Sequence, residues 1–100
     1  DALWWDTSAL TRRYDPLEPD SDRVRFVCGK SENELFMSRL VPVEVASALA
    51  IKVRTGVMSS IERDAAWNSF SAHLASQYRL VPITCLYTHL DAADDLTRVD

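Results

Sequence analysis

Short apolar runs alternate along the chain with longer segments in which apolar residues recur at helical spacing. The runs at residues 2–5, 34–38 and 80–83 predict β-strands, because a strand of a parallel sheet is covered on both faces. The segments between them repeat apolar positions three and four residues apart, which predicts helices. This alternation predicts an α/β domain with a parallel sheet and right-handed crossovers.

Two helices are expected between the first and second strands. The first covers residues 7–14 and follows Asp6 directly, and Asp6, Thr7 or Ser8 can cap its N terminus. Two prolines then mark a loop. The second covers about residues 21–30, with Asp20 as its predicted N-cap. Its apolar stripe consists of Val24, Val27 and Cys28.

Two more helices are expected between the second and third strands. Pro42 suits the first turn of a helix that runs to about Thr55 and ends at Gly56. Ser59 and Glu62 have the spacing of a capping box, which predicts the start of a long fourth helix. The predicted inner face of that helix consists of Trp67, Phe70, Leu74 and Tyr78.

A fifth helix is predicted at about residues 86–96, which gives the element order β-α-α-β-α-α-β-α. Pro82 lies inside the third predicted strand and favours an edge position or a bulge there. A parallel sheet of three strands followed by one helix is unusually small. We therefore expect either that the sequence is a fragment or that a partner completes the fold.

The composition limits the classes of protein to which this chain can belong. A length of 100 residues with 47% hydrophobic residues is typical of a single globular domain. The longest apolar stretches, such as residues 48–51, are far too short to span a membrane, and no signal peptide is visible. Cys28 and Cys85 form no C-x-x-C unit, so we expect small buried hydrophobic residues in a reducing cytoplasm. The net charge of −4 argues against binding nucleic acid by bulk charge alone.

Two carboxylates are the main candidates for chemistry. Asp6 follows the first strand, and Glu44 lies in the first turn of the helix after the second strand, so both are expected at the carboxyl edge of the sheet. Hard oxygen donors of this kind favour magnesium or manganese over zinc. Each residue also has a simpler interpretation, as a helix cap for Asp6 and as a charge on the helix dipole for Glu44.

The surroundings of Glu44 suggest that it needs a partner. Its neighbours at helical spacing form a small, mostly apolar face, and a carboxylate that points inward on such a face must be compensated. A metal ion is one candidate, and Arg39 or Arg12 is another. The neighbours in question are Ser47, Ala48 and Ile51.

Other reactive residue types form no recognisable site. His73 and His89 have no companion ligands, so we interpret them as ordinary surface or core histidines. Ser8 lacks the G-x-S-x-G elbow of serine hydrolases, and two glycines cannot build a phosphate-binding loop. Trp4 and Trp5 belong to the first strand, so we expect core residues and not a platform for base stacking.

Three short segments together resemble PIN-domain ribonucleases of the VapC toxin type. The first is D-T-S-A-L at residues 6–10, the second is S-R-L-V-P-V-E-V-A-S-A-L at residues 38–49, and the third is R-T-G at residues 54–56. The resemblance covers essentially the whole chain. It implies one PIN-like domain at residues 1–100, equivalent to the N-terminal two-thirds of the family fold. That fold is a three-layer α/β/α sandwich around a parallel sheet, here without its C-terminal strand or strands.

The resemblance also implies a site of four acidic residues. The first two match Asp6 and Glu44, while the third and fourth fall beyond the helix that follows the third strand. Asp91, Asp94 and Asp95 precede the expected positions and are interpreted as solvated helix charges. The resemblance implies that Asp6 and Glu44 are the catalytic residues. Asp6 would be a direct ligand of the Mg²⁺ or Mn²⁺ cofactor, and Glu44 would be a second ligand or would hold a metal-bound water.

The implied function is metal-dependent hydrolysis of RNA by the bacterial toxin of a toxin–antitoxin pair. The implied partners are an RNA substrate, a cognate antitoxin and a second copy of the chain in a homodimer, with no membrane. Two alternatives stay open: a PIN-like module that binds RNA or protein without cleavage, and a helical interaction domain whose acidic residues are caps. The candidate contacts to phosphate or RNA are Thr7, Ser8, Arg12, Arg13, Ser38 and Arg39.

Overall fold

The computed structural model of this protein describes residues 1–82. Three predictions therefore lie outside the described residues: the fifth helix, the state of Cys85 and His89, and the solvated acidic residues. Those acidic residues are Asp91, Asp94 and Asp95.

The described chain is a mixed α/β structure with an open, all-parallel sheet. Its strands are β1 (Ala2–Trp4), β2 (Glu34–Ser38) and β3 (Tyr78–Val81), in the order β1-β2-β3. Its helices are α1 (Thr7–Thr11), α2 (Ser21–Gly29), α3 (Val41–Arg54) and α4 (Ser60–Ser76). The predicted order β-α-α-β-α-α-β is confirmed over residues 1–82. None of these helices combines the length and the apolar character that crossing a membrane requires.

Two predicted boundaries were wrong. Helix α1 ends at Thr11 and continues only as turns, so it is shorter than the predicted helix. Strand β3 begins at Tyr78, earlier than predicted, because α4 ends at Ser76 and the chain pairs with β2 at once. Tyr78 is therefore a buried residue of β3 and does not belong to the inner face of α4. Pro82 directly follows β3, where its missing N–H costs the sheet no hydrogen bond.

Most helix ends follow the sequence signals. The side chain of Ser59 accepts from Glu62 N at 3.1 Å while Glu62 accepts from Ser59 N at 2.8 Å, which confirms the capping box. Gly56 has φ +80°, the left-handed conformation with which glycine ends α3 at low cost. Asp20 occupies the predicted N-cap position of α2, but it has φ 64° and its side chain makes no capping hydrogen bond. Its carboxylate instead pairs with Arg12 at 3.5 Å.

The core lies on one face of the sheet. Leu35 and Met37 point to that face from β2 and are at most 1% exposed, because side chains alternate along a strand. All four helices bury residues in the same cluster, which includes Leu10, Val24, Cys28, Val41, Val45, Leu49, Ala66 and Phe70. This confirms one helical layer, and the second layer of the predicted sandwich stays a prediction.

Trp4 lies on the opposite face of the sheet, where the prediction that it is a core residue was wrong. Trp4 pairs in register with Phe36, and their rings stack with centroids 5.2 Å apart. The side chain of Trp4 is 46% exposed, so it is not a core residue, whereas Trp5 is half-buried against the core. Within residues 1–82, β2 is the central strand and β1 lies at an edge.

Candidate functional site

A cleft of about 360 Å³ lies at the carboxyl ends of β1 and β2. The predicted carboxylates, Asp6 and Glu44, both line it, although they come from different elements. The two neighbouring strands bring them together, since β1 and β2 are parallel and end at the same edge. The complete lining consists of Trp4, Trp5, Asp6, Thr7, Ser38, Leu40, Val41 and Glu44.

Asp6 is held in place by the start of α1. Its Oδ1 accepts a hydrogen bond from Ala9 N at 2.8 Å, which makes Asp6 the N-cap of the helix. The Ser8 hydroxyl lies 3.3 Å from the same oxygen and donates to it. The expected helix cap and the expected site carboxylate are thus one and the same side chain. The cap uses one oxygen and thereby fixes the direction of the other.

Glu44 lies in the first turn of α3 and is exposed. The expectation that it points inward was wrong, because α3 buries a different stripe, formed by Val41, Val45 and Leu49. Ser47 and Ile51, on the predicted inner face, are exposed as well. The partner of Glu44 in the structure is Thr7, whose Oγ1 donates to Glu44 Oε1. Neither Arg39 nor Arg12 is paired with it in the structure.

The donor atoms fit a hard divalent cation. Within residues 1–82, hydrogen bonds engage Oδ1 of Asp6 and Oε1 of Glu44, so Oδ2 and Oε2 are the oxygens that a cation can use. Magnesium commonly binds through one or two carboxylates, keeps several waters and takes further oxygens from a substrate phosphate. No group of three or more potential metal-ligating side chains occurs in the described part of the chain. The cleft thus offers two carboxylates, which are oxygen donors of the kind that magnesium binds.

The predicted phosphate contacts are found in different environments. Thr7 and Ser38 line the cleft, and each already makes a hydrogen bond within the protein. The Thr7 hydroxyl donates to Glu44, and the Ser38 hydroxyl accepts from Leu40 N at 3.0 Å. Ser8 is exposed beside Asp6. Arg39, just beyond β2, is exposed.

Arg12 and Arg13 do not line this cleft. Arg12 is half-buried, pairs with Asp20 and faces a neighbouring cavity of about 310 Å³ along α1. The guanidinium of Arg13 turns toward the far end of the sheet, where it donates to Gln77 Oε1 at 2.7 Å and to Tyr78 Oη at 2.8 Å. Arg13 is thus engaged in an internal hydrogen-bond network.

Two polar clusters were missed in the sequence. One joins Arg13, Tyr14, His73, Gln77 and Tyr78 around the start of β3. The other is an ion-pair cluster in which Lys52 of α3 binds two acidic residues of the loop before α2, Asp15 and Glu18. No sequence signal marks these contacts, because each one joins residues far apart in the chain.

No family model, curated protein or solved structure matches the chain. The fold and the cleft are therefore described from this chain's own sequence and structure.

Proposed function

We propose that this protein is a metal-dependent endoribonuclease of the PIN type, the toxin of a toxin–antitoxin pair. One observation carries the proposal: Asp6 and Glu44, from two separate elements, line one cleft at the carboxyl edge of a parallel sheet. Ligands of open α/β sheets bind at this edge. The resemblance of residues 6–10 and 38–49 to the two acidic segments of the family supports the same pairing.

The residues of the cleft would act by position and charge. Asp6 Oδ2 and Glu44 Oε2 would hold Mg²⁺ or Mn²⁺. When bound, such an ion lowers the pKa of a coordinated water and neutralises charge on a scissile phosphate. The cap bond from Ala9 N fixes Asp6, and the hydroxyl of Thr7 fixes Glu44. Arg39 would attract the RNA backbone at the same edge.

The proposal includes partners of matching chemistry. RNA is the substrate, and a cognate antitoxin would block the cleft. A second copy of the chain would form a homodimer.

Asp6→Asn is the decisive test. We expect the full-length protein to cleave single-stranded RNA with Mg²⁺ or Mn²⁺ and to lose this activity with a chelator. Asp6→Asn should reduce cleavage by roughly 100-fold or more, since even residues that only support a metal ligand cost 10- to 100-fold. The matched control is Asp22→Asn, a change of the same charge at an exposed position of α2. Equal cleavage by wild type and Asp6→Asn would refute the assignment.

A second candidate is a PIN-like module that binds RNA or a protein without cleaving. The favouring observation is that only two carboxylates line the cleft in the described part of the chain, and both are hydrogen-bonded within the protein. Calorimetry with MnCl₂ separates the candidates. Binding of about one ion per chain supports the nuclease, whereas RNA binding without ion binding or cleavage supports the module.

A further inference from the structure

A second polar cluster lies away from the cleft, where α4 meets β3. The hydroxyl of Tyr14 contacts His73 Nδ1 at 2.8 Å and forms a hydrogen bond with the hydroxyl of Tyr78. Arg13 donates to Tyr78 Oη at 2.8 Å and approaches His73 Nε2 at 3.4 Å. It also donates to Gln77 Oε1 at 2.7 Å. The cluster therefore ties the turn after α1 to the last turn of α4 and the first residue of β3.

The geometry around His73 fits a neutral imidazole. A neutral ring offers one acceptor nitrogen, whereas a doubly protonated ring offers none. Arg13 has only donors, so its contact with Nε2 is a hydrogen bond only while that nitrogen is unprotonated. With both nitrogens protonated, two cationic donors would face each other across 3.4 Å.

Arg13 is the only charged group among the described residues of this cluster. Burial raises the pKa of Tyr14 and of Tyr78, so both phenols are neutral at physiological pH. Cys28 of α2, which lies near both rings, also has its pKa raised by burial and is an uncharged thiol. In residues 1–82 no carboxylate pairs with Arg13, whose guanidinium carbon instead lies 5.7 Å from the Tyr14 ring centre and 5.8 Å from that of Tyr78. Among the described residues, a second positive charge at His73 would thus find no negative partner.

We propose that Arg13, Tyr14, His73 and Tyr78 form a pH-sensitive latch at the start of β3, closed while His73 is neutral and opened when His73 is protonated. Opening breaks the contact between Arg13 and His73 and repels the guanidinium from its site. Arg13 and Tyr14 also line the neighbouring cavity of about 410 Å³, which offers the displaced guanidinium room to move. The first residue of β3 then loses the donor that holds its hydroxyl.

The direction of the pH effect follows from linkage. Burial first, and the charge of Arg13 second, lower the pKa of His73 from its ordinary value of 6.5. The folded state then binds fewer protons than the unfolded state just below pH 6.5, so the free energy of unfolding falls as pH falls. The stabilising contribution is complete above the unfolded-state pKa. It is lost progressively as pH drops through that value toward the folded-state pKa.

Thermal unfolding of the full chain tests the latch between about pH 8 and about pH 5.5, above the range in which most carboxylates titrate. We expect Tm of the wild type to fall by about 4 °C across this range. The variant His73→Gln keeps an acceptor but cannot be protonated, so most of this pH dependence should disappear. The matched control, His89→Gln, removes the other histidine and should retain it. The same pH dependence in wild type and His73→Gln would overturn the proposal.

A second measurement needs no variant. The ring protons of His73 in the wild-type protein should titrate by NMR below the ordinary histidine value of about 6.5. Backbone amides of β3 should exchange roughly fivefold faster at the acidic end after correction for intrinsic rates, as expected for one lost hydrogen bond. Titration of His73 at or above the ordinary value, or unchanged protection of β3, would contradict the latch.

Discussion

Thr7 and Glu44 lie 37 positions apart in the chain, yet the hydroxyl of Thr7 donates a hydrogen bond to Glu44 Oε1. The same threonine is fixed through its backbone, because Thr11 Oγ1 donates to Thr7 O at 2.6 Å. The first turn of α1 thus holds the carboxylate of α3 at the cleft that Asp6, the cap of α1, also lines. One hydroxyl therefore sets the relative positions of the two acidic groups in the cleft.

Replacing Thr7 by valine should release Glu44 without changing the volume of the side chain much. A hydrogen bond to a charged group contributes about 1.5 kcal/mol of free energy. Without it Glu44 is no longer held in place, so the affinity for Mn²⁺ should fall roughly tenfold. Calorimetric titration of the full-length protein measures this. The control Thr7→Ser keeps the hydroxyl and should bind within about twofold of wild type. Equal affinity of the valine variant and wild type would show that Thr7 does not position Glu44.

Because Ser59 caps α4, its replacement should lower the stability of the protein. Ser59→Ala leaves the Glu62 N–H without its side-chain acceptor and should lower the free energy of unfolding by about 1 kcal/mol. Ser60, the next residue, is exposed and makes no capping bond, so Ser60→Ala is the matched control with little expected effect. Urea denaturation of both variants measures the difference. A similar loss in both would mean that the cap contributes nothing specific.

Local signals predicted the helix ends that a cap, a proline or a glycine marks. The capping box, Pro42 and Gly56 each act within one turn of the chain, and they mark the start of α4, the start of α3 and the end of α3. Asp20 occupies the predicted cap position of α2, but with its left-handed backbone its side chain makes no capping bond. Its carboxylate pairs instead with Arg12 of the segment after α1, a contact that a local helix-start pattern does not contain.

Phe70 should be the most costly single truncation among the aromatic residues of the core. It is 0% exposed and packs against Tyr14 and Tyr78, with ring centres 5.6 Å and 5.7 Å away. Phe70→Ala should lower the free energy of unfolding by about 3–5 kcal/mol, through lost burial and the cavity left behind. Phe26 is 66% exposed on α2, so Phe26→Ala should stay within about 1 kcal/mol. Chemical denaturation compares them, and similar losses would contradict the assigned core.

Lys52 should contribute stability through Asp15. Its Nζ lies 2.8 Å from Asp15 Oδ2, and the two side chains are only 15% and 4% exposed. Lys52→Met keeps the aliphatic chain but leaves the carboxylate buried without its cation, at a cost of about 3 kcal/mol. The double variant Lys52→Met, Asp15→Asn removes both charges and should recover most of this loss. If the double variant is as unstable as the sum of the single changes, the pair is not coupled.

The pH dependence at Lys52 has a definite direction. Burial by itself would lower the pKa of Lys52, but the hydrogen bonds and charges of Asp15 and Glu18 outweigh burial and raise it from 10.5. Its contribution to stability is therefore complete below the unfolded-state value and is lost as pH rises through the folded-state value. Across the physiological range the cluster should act as a constant stabilising contact.

The candidate site was predictable in part. The positions of Asp6 and Glu44 follow from strand ends and helix starts, and the structure brings both to one cleft. The partner of Glu44 was not predictable, because it depends on how α1 lies against α3. The environment of Arg13 was missed for the same reason: its partners Gln77 and Tyr78 join it only when β3 enters the sheet.

The order of the sheet has a consequence for how the chain folds during synthesis. Each described strand pairs with the strand that follows it in the sequence, β1 with β2 and β2 with β3. The growing chain can therefore form the β1–β2 pair, with α1 against α3, before β3 has left the ribosome. Both walls of the acidic cleft belong to this early part. Its carboxylates can accordingly meet while the latch at the start of β3 is still to be made.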